Sequence, residues 1–334
     1  MPDGRARARR RKAPPEALSL EGIATYPLSR RRSKVSIEAF ARPHRPGAAF
    51  SSFLDGLPDI LAGETLRALR DEIFRARSRR RPLIWGLGAH VLKVGLSRVL
   101  IDLMERGFVS AIALNGAGIV HDFELALSGK TSEDVEAGLG TGAFGMARET
   151  GEEINRATVE GDRDGLGLGA AIGRHLSDRR PRPRHIDVSL LAAAWRLGLP
   201  ATVHVAVGTD IVHLHPACDP AALGRATHLD FRLLAGQVAH LGGGGIYLNV
   251  GSAVILPEVF LKAVTLARNL GHPVKDFATA NLDFIQSYRA SVNVVERPVR
   301  GTGRGYRLTG HHELLIPLLA GALVEGKPKR RRRR

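Results

Sequence analysis

A single cysteine, Cys218, stands in 334 residues. That excludes an internal disulfide framework and a zinc site built from cysteines. Aromatic residues make up only 5% of the chain, and no aromatic-interleaved basic motif of an RNA-recognition module occurs. No apolar run reaches the roughly 18 residues that a membrane-spanning helix needs. The arginine-rich N-terminus is not followed by an apolar segment of secretory type. No short-period repeat is present. These absences lead to the expectation of a cytoplasmic protein without a membrane partner. Acidic residues are also scarce relative to basic ones, 33 against 49, for a formal net charge of +16. Of that charge, +5 falls in residues 1–12 and +7 in residues 327–334, leaving +4 between them. Runs of one sign repel themselves and attract polyanions without sequence preference. The two tails are therefore expected to be largely disordered, and either to contact nucleic acid non-specifically or only to solubilise the chain.

With 44% hydrophobic residues the stretch between the tails is rich enough to bury a large core. Its most informative part runs from Pro82 to Leu127. An apolar segment, Pro82–Trp85, enters the turn Gly86-Leu87-Gly88-Ala89-His90. The spacing then predicts a helix over Val91–Glu105, stopped by Gly107. A second apolar run, Val109–Leu114, opens into Asn115-Gly116-Ala117-Gly118. Strand, glycine turn, helix, strand, glycine turn is the pattern of a βαβ unit. Small residues after a strand allow close approach of a ligand, and the next helix start offers N–H groups to a phosphate.

Further strands are predicted over Ala201–Val207, Ile246–Val250 and Phe277–Ala280. Helices are predicted within residues 50–78 and over Thr131–Ala137, Ala143–Arg156, Ser189–Leu197, Ala221–Leu241, Glu258–Leu270 and Glu313–Leu323. Residues 161–184, rich in Gly and Arg, read as partly loop. Strands alternating with helices argue for a Rossmann-like α/β fold: a parallel sheet covered by helices on both faces. The division expected is a basic tail and linker over 1–48, one α/β domain over 49–326 and a basic tail over 327–334. Gly88, Gly118, Gly208-Thr209-Asp210 and Gly251-Ser252 each follow an apolar strand. Ligands of open α/β sheets bind outside such strand ends.

Over residues 80–324 the chain resembles the deoxyhypusine synthase family. Gly88-Ala89-His90 stands where that family has T-S-N, and Asn115–Asp122 where it has T-A-G-G-V-E-E-D, at the same spacing. Leu199-Pro200 through Gly208-Thr209-Asp210 is similar to I-P-V-F…L-T-D, and Val250-Gly251-Ser252 to I-L-G-G-G. Thr279-Ala280-Asn281 is similar to N-T-A-Q, and Leu314–Leu319 to the closing L-V-F-P-L-L helix. The resemblance implies a deoxyhypusine-synthase-like NAD-binding fold and a homotetramer with sites between subunits. It implies aminobutyl transfer from spermidine to a protein lysine through a lysine imine. It also implies NAD contacts at Gly118, Asp210, Gly251 and Thr279. Ala89, His90, Asn115, Gly116, Ala117, Ser252, His311 and His312 occupy neighbouring motif positions and join the expected cofactor set. His311-His312-Glu313 stands where the family has a cofactor-contacting A-D-A turn.

Three departures redirect the chemistry. The family's nucleophilic lysine lies in a W-G-K segment before the closing helix, whereas this chain has no lysine between Lys275 and Lys327. Arginine, always protonated, cannot form the imine. The family's second glutamate of V-E-E-D is His121. The polyamine-binding histidine falls near Leu256-Pro257-Glu258, where none stands. Arginines at 289, 297, 300, 304 and 307 suggest an anionic small-molecule substrate.

The catalytic candidates are His121, a general acid/base near neutral pH or else a helix-start residue, and Lys93, a covalent nucleophile or an anion-facing lysine. His204, Asp210, His213 and His215 cluster on one strand and its exit, a metal set only in outline. The expected function is a divergent NAD-dependent transferase or oxidoreductase. The alternatives are an inactive nucleotide-binding regulatory protein whose basic tails hold nucleic acid, and a deoxyhypusine or homospermidine synthase with a relocated lysine.

Overall fold

The computed structural model describes residues 16–326, so the charged runs at 1–12 and 327–334 lie outside the described residues. The chain divides into two units, ending and beginning at Ala39 and Phe40. In the first, residues 16–39 are almost wholly exposed and form two short 3-10 turns, Leu28–Arg30 and Ile37–Ala39. The second unit takes in part of the stretch expected to be linker. There the Arg42 N–H donates to the Gly56 carbonyl at 2.9 Å.

Six strands form one parallel sheet in the second unit: β1 Leu83–Leu87, β2 Ala111–Asn115, β3 Ala201–His204, β4 Ile246–Val250, β5 Ala278–Asp283 and β6 Arg304–Thr309. Among the described residues twelve α-helices accompany it: α1 Phe50–Gly56, α2 Leu61–Ser78, α3 Ala89–Lys93, α4 Ser97–Glu105, α5 Gly116–Ser128, α6 Val135–Leu139, α7 Arg148–Arg163, α8 Leu168–Asp178, α9 Leu190–Leu197, α10 Pro220–Ala239, α11 Ile255–Asn269 and α12 His312–Glu325. Strand order is β3-β2-β1-β4-β5-β6, the order of dinucleotide-binding α/β folds. It reverses between β1 and β4, which pair in parallel from Leu83↔Ile246 to Leu87↔Val250.

Alternation along the strands builds two cores. Trp85 and Leu87, Ile112 and Leu114, and Leu248 and Val250 face one side, against Leu69, Phe123 and Ile316. Ile84, Ala113 and Tyr247 face the other, against Leu234, Val238 and Phe260. Tyr247 stacks on Phe260 with ring centres 3.8 Å apart. Each face of the sheet is thus covered by helices, and every residue of β1 and β4 is buried.

Three of the four differences from the sequence reading have physical causes. The helix predicted over Val91–Glu105 is broken: Gly95, at φ +82, turns the chain between α3 and α4. The stretch 161–184 contains α8, whose glycines lower intrinsic propensity. A Cβ at Gly169 would collide with the Ala201 carbonyl, so packing of α8 against β3 requires the glycine. The edge strand β6, Arg-Gly-Tyr-Arg-Leu-Thr, has mostly solvent-facing residues and so lacks apolar alternation; charges on an edge strand also discourage pairing with another chain. β3 ends at His204 and not at Val207.

Candidate active site

The carboxyl ends of β1 and β4 meet at the switch point. The Gly88 N–H donates to the Val250 carbonyl at 2.8 Å, and a Cβ on Gly88 would run into the Gly251 carbonyl. Gly251 has φ +68, and a Cβ there would come 2.8 Å from the His312 ring. Gly88 is therefore needed by the close approach of another backbone, and Gly251 by its left-handed φ and the His312 ring, at the floor of the crevice.

Helix α3 rises from this floor and links two groups of side chains. On one side, the exposed ring of His90 lies with centroid distances of 5.6 Å to His312 and 6.0 Å to Phe284. Phe284 in turn stacks on His311 at 6.0 Å. His312 is fully buried. Its Nε2 lies 3.2 Å from the Leu282 carbonyl, which can only accept, so Nε2 carries the proton and Nδ1 is a bare acceptor. That Nδ1 is buried without a protein partner. Desolvation holds the His312 pKa below its ordinary value, against the opposing pull of Asp283.

On the other side, the charge of Lys93 acts on His121 of α5. His121 is half-buried. Desolvation first and Lys93 as a lesser cause lower its pKa, while Glu124 opposes them. Its Nδ1 lies 2.7 Å from the Thr131 hydroxyl. The Thr131 hydroxyl donates to Glu124 at 2.6 Å, and Thr150 donates to the other Glu124 oxygen at 3.1 Å. Lys93 is exposed, at the last residue of α3.

The β2 exit is arranged differently from the phosphate cradle expected there. The Gly118 N–H is taken by the Asn115 side chain at 3.2 Å. The Ala117 N–H is bonded by Asp210, whose carboxyl is pushed up by burial and lies against Gly116. Asn115, Gly116, Ala117, Gly118 and Asp210 are brought together, but the first-turn N–H groups of Ala117 and Gly118 already have protein acceptors. Ser252 is likewise engaged: its hydroxyl accepts from the Leu256 N–H at 3.2 Å, and its carbonyl from Asn249 at 2.8 Å. Thr279 does not reach this edge. It is the second residue of β5, paired with Tyr247 and Gly305, and the strand exits at Asp283. Motif order placed Thr279 at the site; the strand extends three residues past the predicted Ala280, which puts it near the far end.

By contrast, the starts of α3 and α12 have no side-chain cap, with Gly88 and His311 as N-cap residues. Ala89, His90, His311 and His312 thus flank two helix starts that no N-cap side chain covers. In the β3 exit, His213 Nδ1 accepts from the Gly208 and Asp210 N–H groups at 3.1 and 3.3 Å. His215 Nδ1 accepts from Ala217 at 3.1 Å, and His204 pairs with Thr202 at 3.0 Å. His213 and His215 are bound into their own loop, and His204 into its own strand. Among the described residues no group of three His, Cys, Asp or Glu side chains is placed to hold a metal.

Sequence reasoning missed Glu124, Thr131 and Thr150. The i, i+3 spacing of His121 and Glu124 on one helix face was the available signal. The helix predicted from Thr131 starts instead at Val135, with Asp134 as the N-cap of α6. Phe284 was also missed; it follows β5 directly, beyond the strand end predicted.

No protein-family model and no curated protein matches this sequence. Solved structures do. The conserved putative LOR/SDH protein from Methanococcus maripaludis S2 aligns with a TM-score of 0.50 at 13% identity, over 80% of this chain and 71% of that one. AgrE, in a ternary complex with ornithine and NAD+, aligns at 0.48 and 15% identity over 80% of this chain. The chain spans about a third of AgrE, 34%. A putative deoxyhypusine synthase from Entamoeba histolytica aligns at 0.47 and 11% identity, over 84% of this chain and 94% of that one. At these identities the likeness is one of fold.

Proposed function

We propose that the chain is an NAD-dependent enzyme of deoxyhypusine-synthase-like fold that oxidises a small, carboxylate-bearing substrate and does not form deoxyhypusine. The observation that carries this reading is the position of α3: it leaves the switch point with His90 against His312 on one side and Lys93 toward His121 on the other. In this reading the uncapped start of α3 faces the pyrophosphate, since a helix start favours negative charge. The bare, buried Nδ1 of His312 suits a ribose hydroxyl, because an unpaired buried acceptor costs about 1–3 kcal/mol until a donor reaches it. Bound there, NAD supplies the hydride acceptor.

The remaining work falls to the chain's own side chains. His121, kept neutral by desolvation and Lys93, removes the hydroxyl or amine proton of the substrate as its C–H bond breaks. Lys93 offers a cation to the substrate carboxylate beside it. The absence of a lysine between 275 and 327 argues against an imine intermediate on the closing segment.

The test is formation of reduced nicotinamide when purified protein and NAD meet a panel of amino acids and 2-hydroxy acids, with spermidine run in parallel. Reduction with an acid and none with spermidine is expected. Reduction with spermidine alone would contradict the substrate class.

A further inference from the structure

The side chains behind His121 form an ordered chain that determines which of its two nitrogens is free. Glu124 is a carboxylate and can only accept. It receives the Thr131 hydroxyl at 2.6 Å and the Thr150 hydroxyl at 3.1 Å, one on each oxygen. Thr131 has one hydroxyl proton, and that proton is committed to Glu124. Toward His121, 2.7 Å away, the Thr131 oxygen therefore acts as acceptor, and the Nδ1 of His121 must be the donor. A neutral imidazole with its proton on Nδ1 has its lone pair on Nε2.

We infer that Thr131 and Glu124 are positioning residues that hold His121 in the Nδ1–H tautomer, presenting a bare Nε2 as the base. The arrangement has the logic of a nucleophile-activating triad, in which a carboxylate fixes the tautomer and steadies the imidazolium that forms; here a threonine hydroxyl stands between carboxylate and ring. No electrons move within the chain. When Nε2 takes a proton, the Nδ1–H bond to Thr131 strengthens, and the Thr131 proton is drawn further toward Glu124. The charged groups acting on His121 are Lys93 from α3, which disfavours the imidazolium, and Glu124 from its own helix, which favours it. Thr150 comes from α7, so two separate segments, the Thr131 loop and α7, converge on Glu124 of α5. The role assigned to His121 in oxidation rests on the proposed function; the tautomer does not.

The test is therefore made on the full chain without NAD. In 15N-histidine-labelled protein, two-dimensional long-range 1H–15N spectra separate the two tautomers by which nitrogen resonates at the deshielded, pyridine-type position. The His121 signals are identified by their loss in His121→Gln. Wild-type protein is expected to show a pyridine-type Nε2 and a protonated Nδ1. Thr131→Val and Glu124→Gln should both shift the ring toward the Nε2–H form or a mixture, while Thr131→Ser restores the wild-type pattern. A wild-type His121 with its proton on Nε2 would overturn the inference without any variant. So would an unchanged tautomer in a folded Thr131→Val protein. NAD titration of the same samples separates this result from the cofactor reading: loss of NAD binding in wild type with the Nδ1–H tautomer intact contradicts only the latter.

Discussion

Asp230→Ala is expected to lower the unfolding free energy by about 3 kcal/mol, since each buried N–H left without an acceptor costs about 1–3 kcal/mol. Asp230 is fully buried in α10. Its carboxyl accepts from the Gly169 N–H at the start of α8 at 2.9 Å and from the Val203 N–H of β3 at 2.8 Å. One side chain thereby ties three elements together. The pH dependence has a definite sign. Burial raises the Asp230 pKa from 3.8 to about 7, so the fold favours the protonated form over the ionised one. That contribution is fully present below the unfolded value and is lost as pH rises through the folded one. The deficit of the alanine variant should accordingly be greatest near pH 4, shrink as pH rises toward 7 and level off above pH 7. Chemical denaturation of both proteins at the two pH values measures it. A deficit that grows with pH would contradict the assignment.

His121→Ala is expected to reduce turnover by about 10²–10⁴-fold, the usual contribution of a positioned acid/base, while leaving NAD affinity unchanged. The acid limb of kcat/KM should fall below the ordinary histidine value of 6.5, because desolvation and Lys93 lower the pKa of His121. Lys93→Ala removes one of the two lowering causes and should move that limb upward. Steady-state rates across pH decide both points. A variant lacking His121 with near wild-type turnover would assign the base elsewhere.

The sheet was legible in the sequence where burial is complete. β1, β2 and β4 are short, apolar and closed by small residues, and each was found within a residue or two of its observed end. The edge strand β6 was not, because a strand with mostly exposed side chains carries no apolar period. Helix α8 was hidden by glycines that serve packing, Gly169 against β3 and Gly173 against α9, rather than a turn. The site was legible as loops and not as contacts. Glycine turns located the β1, β2 and β4 exits correctly, but a glycine looks the same whether it admits a ligand or a neighbouring backbone. Gly88 and Gly251 admit backbone and ring. Asp210, an NAD contact expected from its motif position, is bonded to the Ala117 N–H. His121 was identified from its motif position, yet its partner Thr131 lies across a loop, where spacing carries no information.

The central claim is that a dinucleotide binds where β1 and β4 diverge. Calorimetric titration of NAD into the purified chain, repeated on Ala89→Glu, tests it most directly. Ala89 is the first residue of α3, so a carboxylate there sets negative charge and bulk at the uncapped helix start. Saturable binding by the wild-type chain, weakened about tenfold or more in the variant, an effect of about 1.4 kcal/mol, is the result expected. Absence of wild-type binding, or equal affinity in both proteins, would contradict it.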